Sequence, residues 1–281
     1  MPSEAAPSLG AQAAMFGLRP DWAAPPAITA LMSTRHGGVS QAPFDSLNLR
    51  PWQLGGDAAD APQAVLQNQR RFATALGATP LWLNQVHGAG VIRLTEAHLA
   101  DQAAGAALPV ADASVTTVPG LACTVLVADC LPLLLCSPDG RAVGAAHAGW
   151  RGLAAGVIEA CVAALSEAAG CAPRELQVWL GPCIGPQAFE VGGEVLQAFG
   201  ADPTAAAWPR FVARLRPDGA PRWLADLPGL ARDRLHALGI ERSSGGTGCT
   251  VSDGSRFFSH RRDGAVGPTG RMAAAIAIRG R

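Results

Sequence analysis

The chain has 281 residues, 49% of them hydrophobic, which is enough to bury a substantial core in one large domain or two small ones. Its 22 basic residues, all of them arginine, balance 22 acidic residues, so no basic groove or tail suggests nucleic acid as a partner. Because no apolar run reaches the ~20 residues of a membrane span, the N-terminus lacks a signal-peptide pattern and the cysteine count is odd, we expect a cytoplasmic protein with reduced thiols and no membrane partner.

The first part of the chain predicts a loosely ordered start, one strand and a polar loop. Residues 1–26 are rich in Ala and Pro, and Ile28–Met32 is a short apolar run typical of a strand. The loop Ser33–Ser40 is rich in glycine, which lets a backbone approach a ligand closely. Arg35 and His36 in this loop could meet an anion, but a plain surface turn is the commoner explanation for such a stretch.

A helix and a hairpin are predicted next. Apolar residues recur in helical register over Ala61–Leu76, and Gly77 is typical of a helix end. Leu81–Gly88 is predicted to be a strand that runs into a turn, with Val91–Leu94 as its hairpin partner. His87 lies at the corner of this hairpin, where a lone histidine is usually structural or exposed.

The centre of the chain predicts several short buried strands, and residues with reactive side chains stand at their ends. The predicted strands are Ala111–Thr116, Thr124–Ala128, Leu131–Cys136 and Arg141–Ala146. Cys130 separates two of these runs, and His147 directly follows another. A thiol and an imidazole at strand ends are out of place in a plain core, so we expect them to converge on a site.

An amphipathic helix is predicted after Trp150 and ends at Gly170. Arg151 and Gly152 would then stand at its N-terminus, where free N–H groups and a guanidinium make a plausible anion site. An ordinary helix start with a surface arginine explains this pattern equally well.

The last part of the chain is predicted to alternate strands, helices and loops. The predicted elements are a strand at Leu176–Leu180, a short helix within Phe189–Phe199, a long surface connection at Ala201–Pro221, a helix at Leu224–Leu238 and a closing strand at Arg271–Ile278. His260 and Arg261 lie beside two aromatic residues, and Cys183 sits in a rigid Gly/Pro turn and is expected to be structural. With no internal repeat and no convincing linker, residues 27–281 are expected to form one domain.

The most informative constellation is His87, Cys130 and His147. Two imidazoles and a thiolate with one position left open are the ligand set expected of catalytic zinc. Their spacing is long and irregular, so the hypothesis depends on the predicted strand ends. A single copper bound by two histidines and a cysteine is geometrically possible. However, the six histidines include no His-x-His pair, which argues against a true multicopper oxidase.

Two other classes of function stay open. In a thiol hydrolase or deamidase, Cys130 would be the nucleophile and His147 its base, and His87 would not be needed. A non-catalytic metal-binding or partner protein would use the same pocket without turning over a substrate. The usual zinc deaminase is disfavoured, because His-x-Glu and Pro-Cys-x-x-Cys are missing.

A family resemblance covers nearly the whole chain, from Ser33 to Ile278. The phrases that carry it, in order, are STRHGGVS with PFDSLNL, LNQVHG, ADASVT, VADCLPLLL, AAHAGWRG, LGPCIGP with FEVG, and SDGSRFFSHRRDG with TGRMAAAI. Together they resemble the YfiH-like family, which has also been labelled multicopper polyphenol oxidase or laccase-domain protein. The resemblance implies an α+β fold, a single-domain four-layer α/β/β/α sandwich with mixed β-sheets. That architecture is shared with the catalytic domain of cytotoxic necrotizing factor toxins, which are Cys/His deamidases.

The resemblance also implies a zinc site and an activity. Its ligands, carried across by motif, are His87, Cys130 and His147. The implied reaction is phosphorolysis of adenosine, inosine, guanosine or methylthioadenosine to the base and a pentose 1-phosphate, with an accompanying adenosine deaminase activity. A laccase-like copper oxidase is the remaining alternative.

A mechanism based on this resemblance assigns further residues. We expect Arg35, His36 and Arg151 to hold phosphate, His260 and Arg261 to close the pocket on the substrate, and Asp129 or Asp112 to orient a ligand histidine. Cys130 and His147 would take part in catalysis. The partners are then purine nucleosides and phosphate; the oligomeric state is left open, with a monomer favoured.

Overall fold

Two β-sheets lie face to face in this protein, and helices cover their outer sides, so the chain forms a four-layer α/β/β/α sandwich. The computed structural model describes residues 16–56, 59–203 and 208–280. The predicted loose start at residues 1–26 lies largely outside these residues, and the part that is described contains a two-residue strand.

The described residues contain the following strands and helices. The strands are β1 (Gly17–Leu18), β2 (Ile28–Ser33), β3 (Thr79–Leu81), β4 (Val91–Arg93), β5 (Ala113–Thr116), β6 (Leu121–Val127), β7 (Leu131–Cys136), β8 (Val143–Ala148), β9 (Gln177–Leu180), β10 (Glu190–Val191), β11 (Phe211–Leu215), β12 (Pro221–Ala225), β13 (Ser243–Gly245) and β14 (Met272–Ile278). The α-helices are α1 (Pro62–Leu76), α2 (Glu96–Ala103), α3 (Trp150–Ala154), α4 (Val157–Ala169), α5 (Gly193–Ala198), α6 (Leu227–Ala237) and α7 (His260–Asp263). Short 3-10 helices occur at Trp52–Leu54 and Pro173–Glu175. No helix in this part of the chain is long and apolar enough to cross a membrane.

Both large sheets are mixed. The first sheet has the order β1-β2-β14-β6-β3, with β3 parallel to β6 and the other neighbours antiparallel. The second sheet has the order β13-β9-β7-β8-β5-β4, with parallel pairs at both of its edges. A third, small antiparallel sheet has the order β10-β12-β11. The layer arrangement and the mixed sheets implied by the family resemblance are thus confirmed.

The hydrophobic core is divided by the sheets into three parts. Between the sheets, side chains of β6 and β14 such as Val125 and Ile276 pack with Leu134 of β7. On the outer side of the first sheet the cluster includes Phe72 of α1, and on the outer side of the second it includes Leu165 of α4. Strands that are covered on both faces explain why the central runs are continuously apolar instead of alternating.

Several predicted elements are confirmed with small shifts at their ends. The predicted helix at Ala61–Leu76 is α1, and Gly77 ends it with a φ of 75°. The strands predicted around Cys130 and His147 are β6, β7 and β8. The predicted closing strand at Arg271–Ile278 is β14, and it lies in the middle of its sheet.

Three local predictions are wrong, two of them because tertiary pairing overrides the local pattern. The strand predicted at Leu81–Gly88 ends at Leu81, and Val91–Leu94 is not its hairpin partner, since β4 pairs in parallel with β5 in the other sheet. The connection predicted at Ala201–Pro221 contains β11 and begins β12.

The third wrong prediction concerns Arg151. The single helix expected after Trp150 is divided into α3 and α4, because Gly156 adopts a left-handed φ of 92°. Arg151 therefore belongs to a helix of five residues and does not stand at the N-terminus of the long one.

Candidate active site

The candidate site lies where the chain passes from one large sheet to the other. His87 is in the connection from β3 of the first sheet to β4 of the second, and Cys130 is in the connection from β6 to β7. His147 is the penultimate residue of β8, paired with Pro132 of β7. The topology therefore brings the ends of non-adjacent segments to one point.

The three side chains predicted to converge do so. One ligand atom from each of His87, Cys130 and His147 lies within 4.8 Å of the other two. The Cys130 Sγ is 3.8 Å from the His87 Nε2, and the two imidazole rings meet edge to face with centroids 4.9 Å apart. His147 is buried, Cys130 half-buried and His87 exposed, so the group opens toward solvent on the His87 side.

Asp112 holds His87 and His147 in place through hydrogen bonds. Its carboxylate is fully buried and accepts the His147 Nδ1–H at 2.9 Å. It also accepts three backbone N–H groups, from Val86 at 3.2 Å, His87 at 2.9 Å and Gly88 at 2.7 Å. Because Nδ1 of His147 is bound to this carboxylate, Nε2 is the ring nitrogen free for another ligand. Of the two acids considered from the sequence, Asp112 is the one that contacts a histidine of the group.

Asp129 has a different part in the site. Its carboxylate accepts hydrogen bonds from the hydroxyls of Thr250 and Ser259, and from the backbone N–H of Arg261 at 2.6 Å. It thereby ties the segment that contains α7 to the turn beside Cys130. This anchoring was not predictable from the sequence, since the donors lie far along the chain from the acceptor.

The backbone around the site is constrained. His87 and Asp129 adopt positive φ angles of 62° and 90°, which only a few per cent of non-glycine residues do. A Cβ on Gly149 would lie 2.9 Å from the Cys130 Sγ and 3.1 Å from a His87 ring carbon. A Cβ on Gly152 would lie 2.7 Å from the carbonyl oxygen of Gly88. Glycine is therefore required where the backbone closes around the group.

The electrostatics of the group favour a charged pair. Burial alone would raise the pKa of the Cys130 thiol, but the His147 and His87 imidazoles lower it to about 6. Burial would lower the pKa of His147, but Cys130 and Asp112 raise it to about 9. In contrast, burial raises the pKa of Cys136 to about 12. Cys130 and His147 thus each favour the charged form of the other, so that without a metal the pair is shifted toward thiolate and imidazolium.

A cavity of about 590 Å³ opens in front of the group. Its walls combine apolar side chains with basic ones. The apolar lining includes Leu83, Leu126, Trp150, Ile184, Phe189 and Leu227, and the basic lining includes Arg50, Arg151, His260, Arg261 and Arg271. Asp129 is the sole carboxylate among the lining residues that the structure describes, and it is already engaged. Such a cavity suits a partly apolar ligand together with an anion.

The predicted anion-binding residues are divided by the structure. Arg151, His260 and Arg261 line the cavity, whereas Arg35 and His36 do not. The Arg35 guanidinium pairs with the Asp45 carboxylate at 3.3 Å, donates to the Gly254 carbonyl and stacks on Phe258.

The His36 ring is hydrogen-bonded to the backbone carbonyl of Ser255. Both side chains thus join two loops and do not line this cavity, and their expected role as phosphate ligands stays a prediction. Cys183 is fully buried and does not line the cavity.

Arg50 and Arg271 line the cavity but were not singled out from the sequence. Arg50 directly follows PFDSLNL, and Arg271 stands within TGRMAAAI. Both of these phrases carry the family resemblance. Arg271 also immediately precedes β14. A cation at a strand end was the signal available for finding it.

The residues present fit the implied zinc ion. Zn–N and Zn–S bonds of about 2.0–2.3 Å in a tetrahedral arrangement place neighbouring ligand atoms about 3.3–3.7 Å apart. The Sγ–Nε2 distance of 3.8 Å is close to this, and all three ligand atoms lie within 4.8 Å of one another. Two imidazoles and one thiolate also suit copper, so the donor chemistry alone does not select between the two metals.

Comparison with known proteins gives a consistent result. The family model described as multi-copper polyphenol oxidoreductase laccase matches residues 29–279. The chain is 49% identical over 259 residues to a Pseudomonas aeruginosa protein named purine nucleoside phosphorylase, covering 92% of this chain and 97% of that protein. It is 45% identical over 260 residues to the purine nucleoside phosphorylase YfiH of Escherichia coli, covering 92% of this chain and 96% of that one.

Solved structures share the fold. A crystal structure of a Neisseria meningitidis protein has a TM-score of 0.79 and 43% identity, covering 94% of this chain and 100% of that chain. The crystal structure of YlmD from Geobacillus stearothermophilus has a TM-score of 0.78 and 32% identity, covering 91% of this chain and 93% of that chain.

Proposed function

The chain belongs to the family described as multi-copper polyphenol oxidoreductase laccase, and we propose that it is a zinc-dependent purine nucleoside phosphorylase of the cytoplasm with an adenosine deaminase activity. One observation carries the proposal. The His87–Cys130–His147 group faces an arginine-lined cavity in a chain that is 49% and 45% identical to proteins named purine nucleoside phosphorylase. The proposed substrates are adenosine, inosine, guanosine and methylthioadenosine, each with phosphate.

The cavity has the size and the chemistry that these substrates require. Its volume of about 590 Å³ falls within the range of ~300–1,000 Å³ typical of small-molecule sites. The apolar walls, among them Phe189 and Trp150, can contact the flat purine, and four arginines offer guanidinium groups to phosphate.

The proposed reaction exchanges one bond at the sugar. The bond between C1′ and the purine N9 breaks, and its electron pair stays on the purine. A phosphate oxygen forms the new bond to C1′, and the proton of hydrogen phosphate ends on the released base. The products are the free base and a pentose 1-phosphate. In the accompanying deamination, adenosine and water give inosine and ammonia.

The residues of this chain would contribute binding and orientation. His87, Cys130 and His147 would hold zinc, which when bound supplies a Lewis acid that polarises a substrate atom or activates water. Asp112 keeps the His147 Nδ1 engaged, so that Nε2 is presented to the site. Arginines placed before substrate arrives stabilise developing negative charge without reorganisation.

Turnover of inosine by metal-quantified protein tests the proposal. Wild-type protein and the variant His87→Ala are compared, each with and without phosphate. We expect hypoxanthine from the wild type only when phosphate is present, and loss of both zinc and activity in the variant. Absence of phosphate-dependent product from zinc-loaded wild type would refute the proposal.

A thiol hydrolase or deamidase is a second candidate, and a specific observation favours it. Cys130, His147 and Asp112 are arranged as nucleophile, base and orienting acid, and the pKa of the Cys130 thiol is lowered to about 6. The two functions differ in their need for His87. A hydrolase would retain its activity on amide substrates in His87→Ala and in metal-free protein. A phosphorylase would lose its activity on nucleosides in both.

A laccase-like oxidase fits the site less well. Within the part of the chain that the structure describes, a single group of three potential ligands forms. Multicopper oxidation needs several copper ions held by many imidazoles, and the sequence has six histidines.

A further inference from the structure

Two of the arginines that line the cavity have no carboxylate partner among the residues that the structure describes. Arg50 and Arg271 both line the cavity, and burial together with the charge of Arg50 lowers the pKa of Arg271. Within the described residues, neither side chain forms an ion pair. Like charges placed together at partial burial repel each other, so this arrangement costs stability in the absence of a ligand.

The hydrogen bonds of this pair are incomplete. Arg271 Nη1 donates to the carbonyl oxygens of Thr269 and Gly270, and Arg50 Nη2 donates to the carbonyl of Leu54 at 3.3 Å. Arg50 Nη1 is buried and has no hydrogen-bond partner in the structure. A buried charged donor without an acceptor is costly, which indicates that an acceptor belongs there.

Several other arginines of the chain are paired or stacked. Arg210 binds two carboxylates, those of Asp226 and Asp233. In the cavity itself, Arg151 lies over the Trp150 ring at 4.4 Å, and Arg261 donates to a backbone carbonyl. Arg50 is thus distinguished from these neighbours by a buried guanidinium nitrogen without a hydrogen-bond partner, and Arg271 by the charge of Arg50 acting on it.

Their place in the cavity relates them to the candidate metal ligands. Cys130 and Asp129 are the negative groups that act on Arg271, raising its pKa against the effect of burial and of Arg50. Both arginines line the same cavity as His87, Cys130 and His147. An anion held by the pair would share that cavity with the His87–Cys130–His147 group.

We propose that Arg50 and Arg271 form the phosphate subsite of the cavity and bind inorganic phosphate as the second substrate. This inference rests on the phosphorolysis proposed above. Two guanidinium groups match the charge of a phosphate dianion, and their planar N–H pairs bind its oxygens in a bidentate manner. The nucleoside then occupies the rest of the cavity, along Trp150 and Phe189.

Phosphate binding by the full-length, zinc-loaded protein tests the subsite without requiring turnover. Inorganic phosphate is titrated calorimetrically into wild type, Arg50→Met, Arg50→Lys and the control Arg93→Met, in which an exposed arginine outside the cavity is replaced. Losing one charge-assisted contact should weaken phosphate binding about 10- to 100-fold in Arg50→Met. Arg50→Lys should recover part of it, because lysine keeps the charge but not the planar pair of donors.

Steady-state kinetics give the second measurement. The KM for phosphate should rise in Arg50→Met by the same factor as the dissociation constant, while the KM for inosine stays near the wild-type value. The variant is suitable because it removes a single hydrogen bond to the protein, that from Arg50 Nη2 to the Leu54 carbonyl, and its fold is to be checked by circular dichroism and zinc content. Arg271→Met is a harsher change, since it also removes two bonds to backbone carbonyls.

The outcomes separate this inference from the proposed function. Wild-type phosphate affinity in Arg50→Met and Arg271→Met overturns the subsite, whatever the enzyme does with nucleosides. Binding of AMP but not of inorganic phosphate also overturns it and assigns the pair to a nucleotide 5′-phosphate. Phosphate binding that depends on Arg50, in a wild type that cleaves no nucleoside, supports the subsite and refutes the phosphorylase.

Discussion

Replacing Asp112 with asparagine should weaken both metal binding and the fold. The two carboxylate oxygens have separate partners, since Oδ1 accepts from the His87 N–H and the His147 Nδ1–H, while Oδ2 accepts from the Val86 and Gly88 N–H groups. In Asp112→Asn, one of these two positions becomes an NH₂ group that faces two donors. Either orientation of the amide therefore leaves two donors without an acceptor.

The structure sets the size of the two effects. Each buried donor left unsatisfied costs about 1–3 kcal/mol, so we expect Asp112→Asn, which leaves two of them, to lower the free energy of unfolding by about 2–6 kcal/mol. Losing the carboxylate behind a ligand histidine typically reduces metal affinity about 10- to 100-fold, which corresponds to about 1.4–2.7 kcal/mol. Asp112 is fully buried, so solvent cannot replace the lost acceptor.

Two assays measure these effects separately. Urea unfolding of the zinc-free protein gives the stability change, and competition with a chromophoric chelator gives the zinc affinity. Asp101→Asn is the matched control, because Asp101 lies exposed on α2, and neither quantity should change in it. If Asp112→Asn binds zinc and unfolds like the wild type, the assignment of Asp112 as the residue that positions His147 is wrong.

Three further predictions concern the same region. Gly149→Ala should weaken zinc binding in the chelator assay, because its Cβ would lie 2.9 Å from the Cys130 Sγ. The control Gly267→Ala should leave zinc affinity unchanged, because a Cβ at Gly267 would have no atom within 4 Å. In zinc-free protein, the rate at which Cys130 reacts with iodoacetamide can be measured by mass spectrometry. This rate should rise with pH around 6 and then level off, because the thiolate is the reactive form. A Cys130 that reacts as slowly as Cys136 at neutral pH would contradict this. Asp129→Ala should lower the free energy of unfolding by about 3–9 kcal/mol in a urea titration, since it removes the acceptor of three hydrogen bonds at about 1–3 kcal/mol each. An unchanged midpoint would show that these bonds do not hold the segment.

The sequence was informative about His87, Cys130 and His147 because each interrupts or ends an apolar run. Side chains of that chemistry at strand ends are expected to meet where strands of a layered fold end, and the structure brings them together. The helix α1 was predictable for a similar reason, since its pattern is local and Gly77 marks its end.

Features that depend on distant pairing were not predictable. A local pattern shows that Val91–Leu94 is extended, but only the whole topology shows that β4 pairs with β5 instead of following β3. Arg50 and Arg271 are far apart in the chain, and nothing in either neighbourhood indicates the other. The pairing of Arg35 was equally hidden, since its Gly-rich loop is typical of a binding loop and the local sequence does not show that its guanidinium lies 3.3 Å from the Asp45 carboxylate.

The two connections that carry His87 and Cys130 also have a mechanical consequence. Each of them joins the first large sheet to the second, and His147 is fixed within the second sheet. A metal ion held by all three residues would link the two large sheets at their shared edge. Local unfolding of one sheet would then be coupled to local unfolding of the other. Hydrogen exchange should then slow together in β6 and β8 on zinc binding. Loss of the ion would weaken the contact between the two large sheets before either sheet separates from its helices.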